Sequence, residues 1–282
     1  MARSVSGPML ASDRPIAPPR AAMRLLLPTA LVLIAGTSEP LRPWAVAMLL
    51  VGLGVAIRPG WRVAAVALAA ALPIAIDLAW PVLVGRDEAL GAACVGPLNA
   101  IVVRRLIQVA VVSGVVALLA RSLALDGRSL GWQLPRRAAG VLTIAGAIVV
   151  AVVGLVIGPA LAAPMFGPSR FSMPLAAVLP ALVFGVANGV LEEVVYRGVL
   201  LRWLGGLVGI VPALLLQAVG FGLAHAGPDV VAAMVPLHVA AMAGCGLILG
   251  LITLRTGSLA VAIGLHVGAD VALYFGLACR PV

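Results

Sequence analysis

The chain has 282 residues, of which 63% are hydrophobic and 10% charged, and its mean hydropathy is +1.18. That balance excludes a soluble domain. The net charge of +9 comes from 19 Lys and Arg residues that punctuate apolar runs, so they read as topology determinants at a cytoplasmic face and no nucleic-acid partner is expected.

Apolar runs long enough to cross a ~30 Å hydrocarbon core recur from Leu25 to Cys279. The fold class is therefore all-α, a polytopic helical membrane protein of about eight to nine transmembrane helices. The alternating strands of a transmembrane barrel are absent. Residues 1–24, with Pro8, Pro15, Pro18 and Pro19 among four arginines, read as a disordered cytoplasmic tail. A cleaved signal peptide competes, because a short apolar run follows; no small-x-small cleavage site comes after it, and an uncleaved first span is the reading adopted. Candidate spans are 25–38, 43–57, 63–84, 106–124, 139–163, 174–204, 211–226, 230–254 and 258–279.

The connections carry the charges. Arg58 with Arg62, the loop 121–137 with four arginines, Arg202 and Arg255 fall on one side if the tail is cytoplasmic. This gives nine spans in the cell inner (cytoplasmic) membrane, with lipid as the surrounding partner and the carboxyl end outside. Residues 85–105, with Arg86, Asp87, Glu88, Arg104 and Arg105, are assigned as an amphipathic interfacial piece. No internal repeat suggests a transporter. Cys94, Cys245 and Cys279 have no CxxC spacing and read as small buried hydrophobes, without a disulfide framework.

Ionisable groups inside such spans are costly and point to function. The sixth span holds Glu192-Glu193-Val-Val-Tyr-Arg197; Phe221-Gly-Leu-Ala-His225 and His266-Val-Gly-Ala-Asp270 follow in later spans. Gly205, Gly206, Gly209 and Pro212 mark a turn between two helices. Glu193 lies thirteen residues before Gly206 and His225 thirteen after Pro212, so an antiparallel hairpin sets both ~20 Å from the turn. His266 follows the turn at Gly257-Ser258 and lies ~14 Å in from the same face. Three separated motifs converge in depth.

A carboxylate beside a histidine accepts a proton from water, and amide attack creates an oxyanion that needs a donor. Arg197, four residues from Glu193, forms a same-face ion pair that fixes that carboxylate and leaves Glu192 as the base. His266 is the candidate donor, with Asp270 one turn on to orient it. The same groups also suit an open zinc site of Glu192, His225 and His266, although no HExxH is present. Spacing does not choose between a metal-bound hydroxide and a glutamate-activated water. The structural alternatives are a buried Glu193–Arg197 pair that only locks helices, and histidines that only join helices. His238 reads as a packing or polar-network residue, Asp77 as an ion-pair or cavity residue, and Gly246 with Gly250 as a close-packing GxxxG.

In order and spacing, Glu192-Glu193-x-x-x-Arg197, Phe221-x-x-x-His225 and His266-x-x-x-Asp270 resemble the CPBP intramembrane proteases. That family includes the type II CAAX prenyl endopeptidases and the bacterial Abi and bacteriocin-processing proteins. Gly246-Leu-Ile-Leu-Gly250, Leu254-Arg-Thr-Gly-Ser-Leu259 and, more weakly, Ser129-Leu-Gly131-Trp resemble further family features. The resemblance spans about 126–275 and divides the chain into the tail 1–24, spans without a recognised motif over 25–124, and a protease-like core over 125–282. It implies Glu192 and His225 as the water-activating pair, His266 and Asp270 completing the site, and Glu193 with Arg197 in support. Many relatives carry Asn where this chain has Asp270. An ionised Asp cannot donate to an oxyanion, which leaves metal ligation or histidine orientation open at 270.

The expected activity is that of a CAAX-type intramembrane endopeptidase, glutamic or metal-dependent (a divalent ion such as zinc), acting on a membrane-associated peptide or protein. A non-catalytic scaffold or Abi-type immunity protein is the alternative of a different class, and a proton or small-molecule transporter is a third.

Overall fold

The computed structural model describes residues 94, 96, 99–122, 127–133, 137–166, 173–226 and 230–278, and all regular structure within them is helical. The tail, the first three expected spans, Asp77 and Cys279 lie outside the described residues. Helix α1 is Ala100–Ser122, α2 is the short Gly127–Leu130 and α3 is Arg137–Phe166. A 3₁₀ turn, Leu175–Ala177, leads into α4, Val178–Glu193, which runs on as a π-helix, Val194–Trp203, and a short α5, Leu204–Val208. Helix α6 is Ile210–Ala224. After a second 3₁₀ turn, Ala232–Met234, come α7, Val235–Thr256, and α8, Leu259–Ala278.

Among the described residues, five stretches are long and apolar enough to cross a membrane: Ala100–Arg121, Gly140–Ala160, Leu175–Gly206, Ala232–Thr256 and Leu259–Gly276. Two expectations change. The piece assigned to 85–105 as interfacial is in part the start of α1, because Arg104 and Arg105 continue an apolar helix instead of interrupting it. The span expected at 211–226 is the helix Ile210–Ala224, whose 15 residues reach only ~22 Å.

Glycine controls how closely the helices approach. Helix α8 packs on α3 with one face and on α4 with another, while α7 packs on α6 and α1 on α4. Gly264 meets Thr143 and Gly268 meets the Ala147 carbonyl, with no room for a Cβ. Gly185 and Gly189 of α4 touch Val267 and the backbone at Ile263 and Val267 on the opposite side of α8. Gly246 and Gly250 of α7 meet α6 at Ala218, Phe221, Leu214 and Gln217, as the GxxxG spacing predicts. The turns at Gly209 (φ 92°) and Gly257 (φ 71°) need the left-handed freedom of glycine.

Large apolar side chains cover the outside, with Val141, Leu142, Ile148 and Val156 of α3 and Val211 and Val219 of α6 exposed. This suits a lipid surround. Polar groups turn inward: Gln108, Asn188, Glu193, Arg197, Gln217, His266 and Asp270 are buried. The end of α8 is tied back by the Tyr274 hydroxyl, which donates to the Cys94 carbonyl at 2.8 Å and accepts from Asn99 Nδ2. Cys94 is disulfide-bonded, contrary to the reading of the cysteines as isolated hydrophobes; Cys245 is free and exposed. Spacing in sequence could not show that Cys94 folds against the far end of α8.

Gly268→Ala should destabilise the detergent-solubilised protein by about 1–3 kcal/mol, since backbone on both sides prevents relief. Gly244, with open space around it, is the control: Gly244→Ala should leave the thermal midpoint unchanged or slightly raised. Equal midpoints for the two variants would show that glycine packing does not set the α3–α8 distance.

Candidate active site

Helix α4 carries Asn188 one turn before the adjacent Glu192 and Glu193, and α8 carries His266 and Asp270 one turn apart; the glycine contacts press these faces together. At the base is a buried ion pair. Arg197 Nη1 donates to Glu193 Oε1 at 2.8 Å, and both side chains are fully buried. The guanidinium also reaches the Gly246 carbonyl at 3.4 Å and lies 4.6 Å over the Phe221 ring. Gln217 Nε2 donates to the same Gly246 carbonyl at 3.0 Å, so α6, α7 and the π-helix meet at one main-chain oxygen.

The ion pair fixes a histidine. Glu193 Oε1 stands 2.7 Å from His266 Nδ1, and a carboxylate held by arginine accepts, so Nδ1 carries a proton. His225, the residue that caps the end of α6, has its Nδ1 2.7 Å from the Phe221 carbonyl. A carbonyl only accepts, so this Nδ1 is also protonated. Both rings therefore turn Nε2 towards Glu192, whose Oε2 lies 3.5 Å from His266 Nε2 and 4.0 Å from His225 Nε2. That oxygen is buried and has no hydrogen-bond partner. The other oxygen, Oε1, accepts from Asn188 Nδ2 at 3.1 Å.

Asn188 Nδ2 also donates to Asp270 Oδ2 at 3.1 Å. Asp270 was expected to orient His266, but its Oδ2 lies 3.7 Å from Nε2, the nitrogen facing the site. Glu193 does the orienting instead. The (i, i+4) spacing sets Asp270 one turn beyond the ring, on the Nε2 side. The structure thus brings Glu192, His225, His266 and Asp270 around one point, with Glu193 and Arg197 beneath. His238, buried on α7, bonds to the main chain at His225 and contributes no group to this cluster.

Two residues escaped the sequence reading. Asn188 bears no charge, and its only signal was an amide one turn before Glu192 in an apolar helix. Arg105 follows the buried Val102 and precedes Val112 and Val116 on the inward face of α1. Its charge acts on both Glu192 and Asp270, and its Nη1 donates to the buried Gln108 Oε1 at 2.7 Å. Arginine in a region assigned to the interface gave no hint of this.

Glu192, His225 and His266 suit zinc by donor type. As placed, however, no three His, Cys, Asp or Glu side chains among the described residues are grouped as a metal site, and Asp270 is engaged by Asn188.

The bundle and its cluster define an apolar helical membrane protein with carboxylates and imidazoles gathered at one internal point. Residues 174–272 match the family described as Type II CAAX prenyl endopeptidase Rce1-like. Over this segment the chain is similar to that family, in support of the resemblance to the CPBP proteases. No curated protein and no solved structure matches the chain.

Arg197→Met should cost about 3–5 kcal/mol in detergent, because Glu193 is left buried and uncompensated. Adding Glu193→Gln should recover much of that loss, since the amide oxygen still accepts from His266. Thermal unfolding of the two variants checks this; a double variant no more stable than the single would remove the buried charge as the cause.

Proposed function

We propose that the protein is an intramembrane endopeptidase that hydrolyses a peptide bond of a membrane-associated peptide or protein, using water activated by Glu192 and His225. The observation that supports this most is the Glu192 Oε2 atom: buried, without a hydrogen-bond partner, and faced by two imidazole Nε2 atoms. Glu193 Oε2 is likewise buried without a partner, so what sets Glu192 apart is the pair of imidazole Nε2 atoms that face its oxygen.

In this mechanism a water binds between Glu192 Oε2 and His225 Nε2. Its oxygen bonds to the scissile carbonyl carbon as its proton passes to Glu192 Oε2. The C–N bond then breaks, and the same proton is delivered to the departing nitrogen, leaving a carboxyl group and an amine. His266, with Nδ1–H held by Glu193, donates to the oxyanion through Nε2 when that nitrogen is also protonated. Asp270 lies beside that imidazolium and balances its charge. The buried apolar setting strengthens each of these interactions.

The assay is cleavage of an internally quenched peptide, ending in an S-farnesylated CAAX box, by the protein in liposomes. Glu192→Gln and His225→Ala should reduce kcat at least 10³-fold with the fold intact, a loss of about 4 kcal/mol in transition-state stabilisation. His238→Ala should stay within tenfold of wild type, and so should protein dialysed against a zinc chelator. Equal losses for His238→Ala and Glu192→Gln would count against the assignment. Zinc-restored activity after chelation would replace the glutamate-activated water with a metal-bound one. Cleavage that survives Glu192→Gln would return the cluster to the scaffold reading.

The orientation we propose puts the end bearing Arg121, Arg128, Arg202 and Arg255 in the cytoplasm. These arginines gather where α1, the π-helix and α7 end, in line with the positive-inside tendency. Cys94 is disulfide-bonded at the opposite end, which fits an oxidising compartment there. A membrane-impermeant maleimide applied to intact spheroplasts should label Met173→Cys and leave Arg128→Cys unlabelled. The reverse pattern would invert the topology.

A further inference from the structure

We infer that Asn188 is a positioning residue for the hydrolysis proposed above: its single amide nitrogen clamps Glu192 and Asp270 together and aims the free oxygen of Glu192 at the two imidazoles. The inference rests on that proposed reaction, and nothing in the family match assigns Asn188 a part.

The argument comes from donor counting. An amide nitrogen carries two hydrogens, and Asn188 Nδ2 spends both on carboxylates: Glu192 Oε1 at 3.1 Å and Asp270 Oδ2 at 3.1 Å. Carboxylates are acceptor-only when ionised, so two of them side by side need a donor between them. The other site groups are committed elsewhere. His266 Nδ1–H serves Glu193 and His225 Nδ1–H serves Phe221, while Arg197 serves Glu193 and Gly246. Arg105 adds charge from α1, but its hydrogen bond goes to Gln108. Asn188 is therefore the neutral donor that joins α4 to α8 at the reacting carboxylate.

The consequence is geometric. With Oε1 held, rotation of the Glu192 carboxylate is blocked, and Oε2 remains as the atom facing both Nε2 atoms. Asn188 is itself buried, and Gly185 and Gly189 on either side of it let α8 come close enough for the amide to span the gap. The amide oxygen, Oδ1, is buried without a partner, so the side chain is held for what its nitrogen does.

Isosteric exchange provides the test. Asn188→Asp leaves the volume unchanged but puts three carboxyl groups together without a donor; the exchange variant, Asn188→Asp with Asp270→Asn, returns one amide to the pair. With the farnesylated quenched peptide, Asn188→Asp should lower kcat at least 100-fold with KM changed less than threefold. The exchange variant should recover at least tenfold of that loss. A residue that only fills space would give no recovery, because neither substitution changes the packing. Thermal midpoints of the same proteins in detergent give a readout independent of turnover: Asn188→Asp should fall and the exchange variant should rise back towards wild type. Activity in wild type with additive losses in the exchange variant would overturn the clamp and leave the protease reading standing. No activity in wild type, with midpoints that recover on exchange, would leave the clamp standing and sink the protease reading. Midpoints and activity of Asn188→Asp equal to wild type would overturn the clamp outright.

Discussion

The pairing of Glu193 with Arg197 in the middle of an apolar bundle is the constraint on which the site depends. Neither charge could be placed there alone, since an uncompensated ion in low dielectric costs several kcal/mol. Once paired, they form a fixed polar unit that other elements can use. Arg197 reaches across to the Gly246 carbonyl and covers the Phe221 ring; the Glu193 oxygen it holds, Oε1, also accepts from His266 Nδ1. A tautomer on α8 is thus decided by an ion pair on α4 and its π-helical continuation. The order runs from electrostatics to ring orientation to the direction of a lone pair.

Close approach of backbones makes that order possible. The polar side chains involved are short, and a spacing one methyl wider would leave Asn188 short of Asp270 and His266 short of Glu193. Small residues supply the needed proximity on both sides of α8, with Gly264 and Gly268 against α3 and Gly185 and Gly189 against α4. In a membrane there is little hydrophobic gain from bringing helices together, so packing and interhelical hydrogen bonds carry the association. Here the two are interlocked, because the glycine seams place the donors.

Much of this could be read from the chain itself, and the reasons are physical. Charges in apolar spans are few, so Glu192, Glu193, Arg197, His225, His266 and Asp270 stood out without any structure. Equal counting from a turn set Glu193 and His225 at similar depth, although the π-helix, with more residues per turn, shortens the true rise from Gly206. What counting could not reach was direction around the helix axis on two different helices. That is why Asp270 was read as the residue that orients His266, a part Glu193 takes, and why Asn188, an uncharged amide, went unnoticed. Arg105 was missed for the opposite reason: arginine near a span end is ordinarily a topology signal, and only its place on the inward face of α1 shows otherwise.

The shortness of α6 bears on where water would enter in the proposed hydrolysis. A helix of ~22 Å cannot match a ~30 Å hydrocarbon layer, and the bilayer meets such a mismatch by thinning or by drawing its interface inward. His225 sits at one end of this helix, and its side chain retains 26% of its exposure against 15% for Glu192 and 7% for His266. In the proposed hydrolysis, the end of this short helix is then the side from which water would reach Glu192.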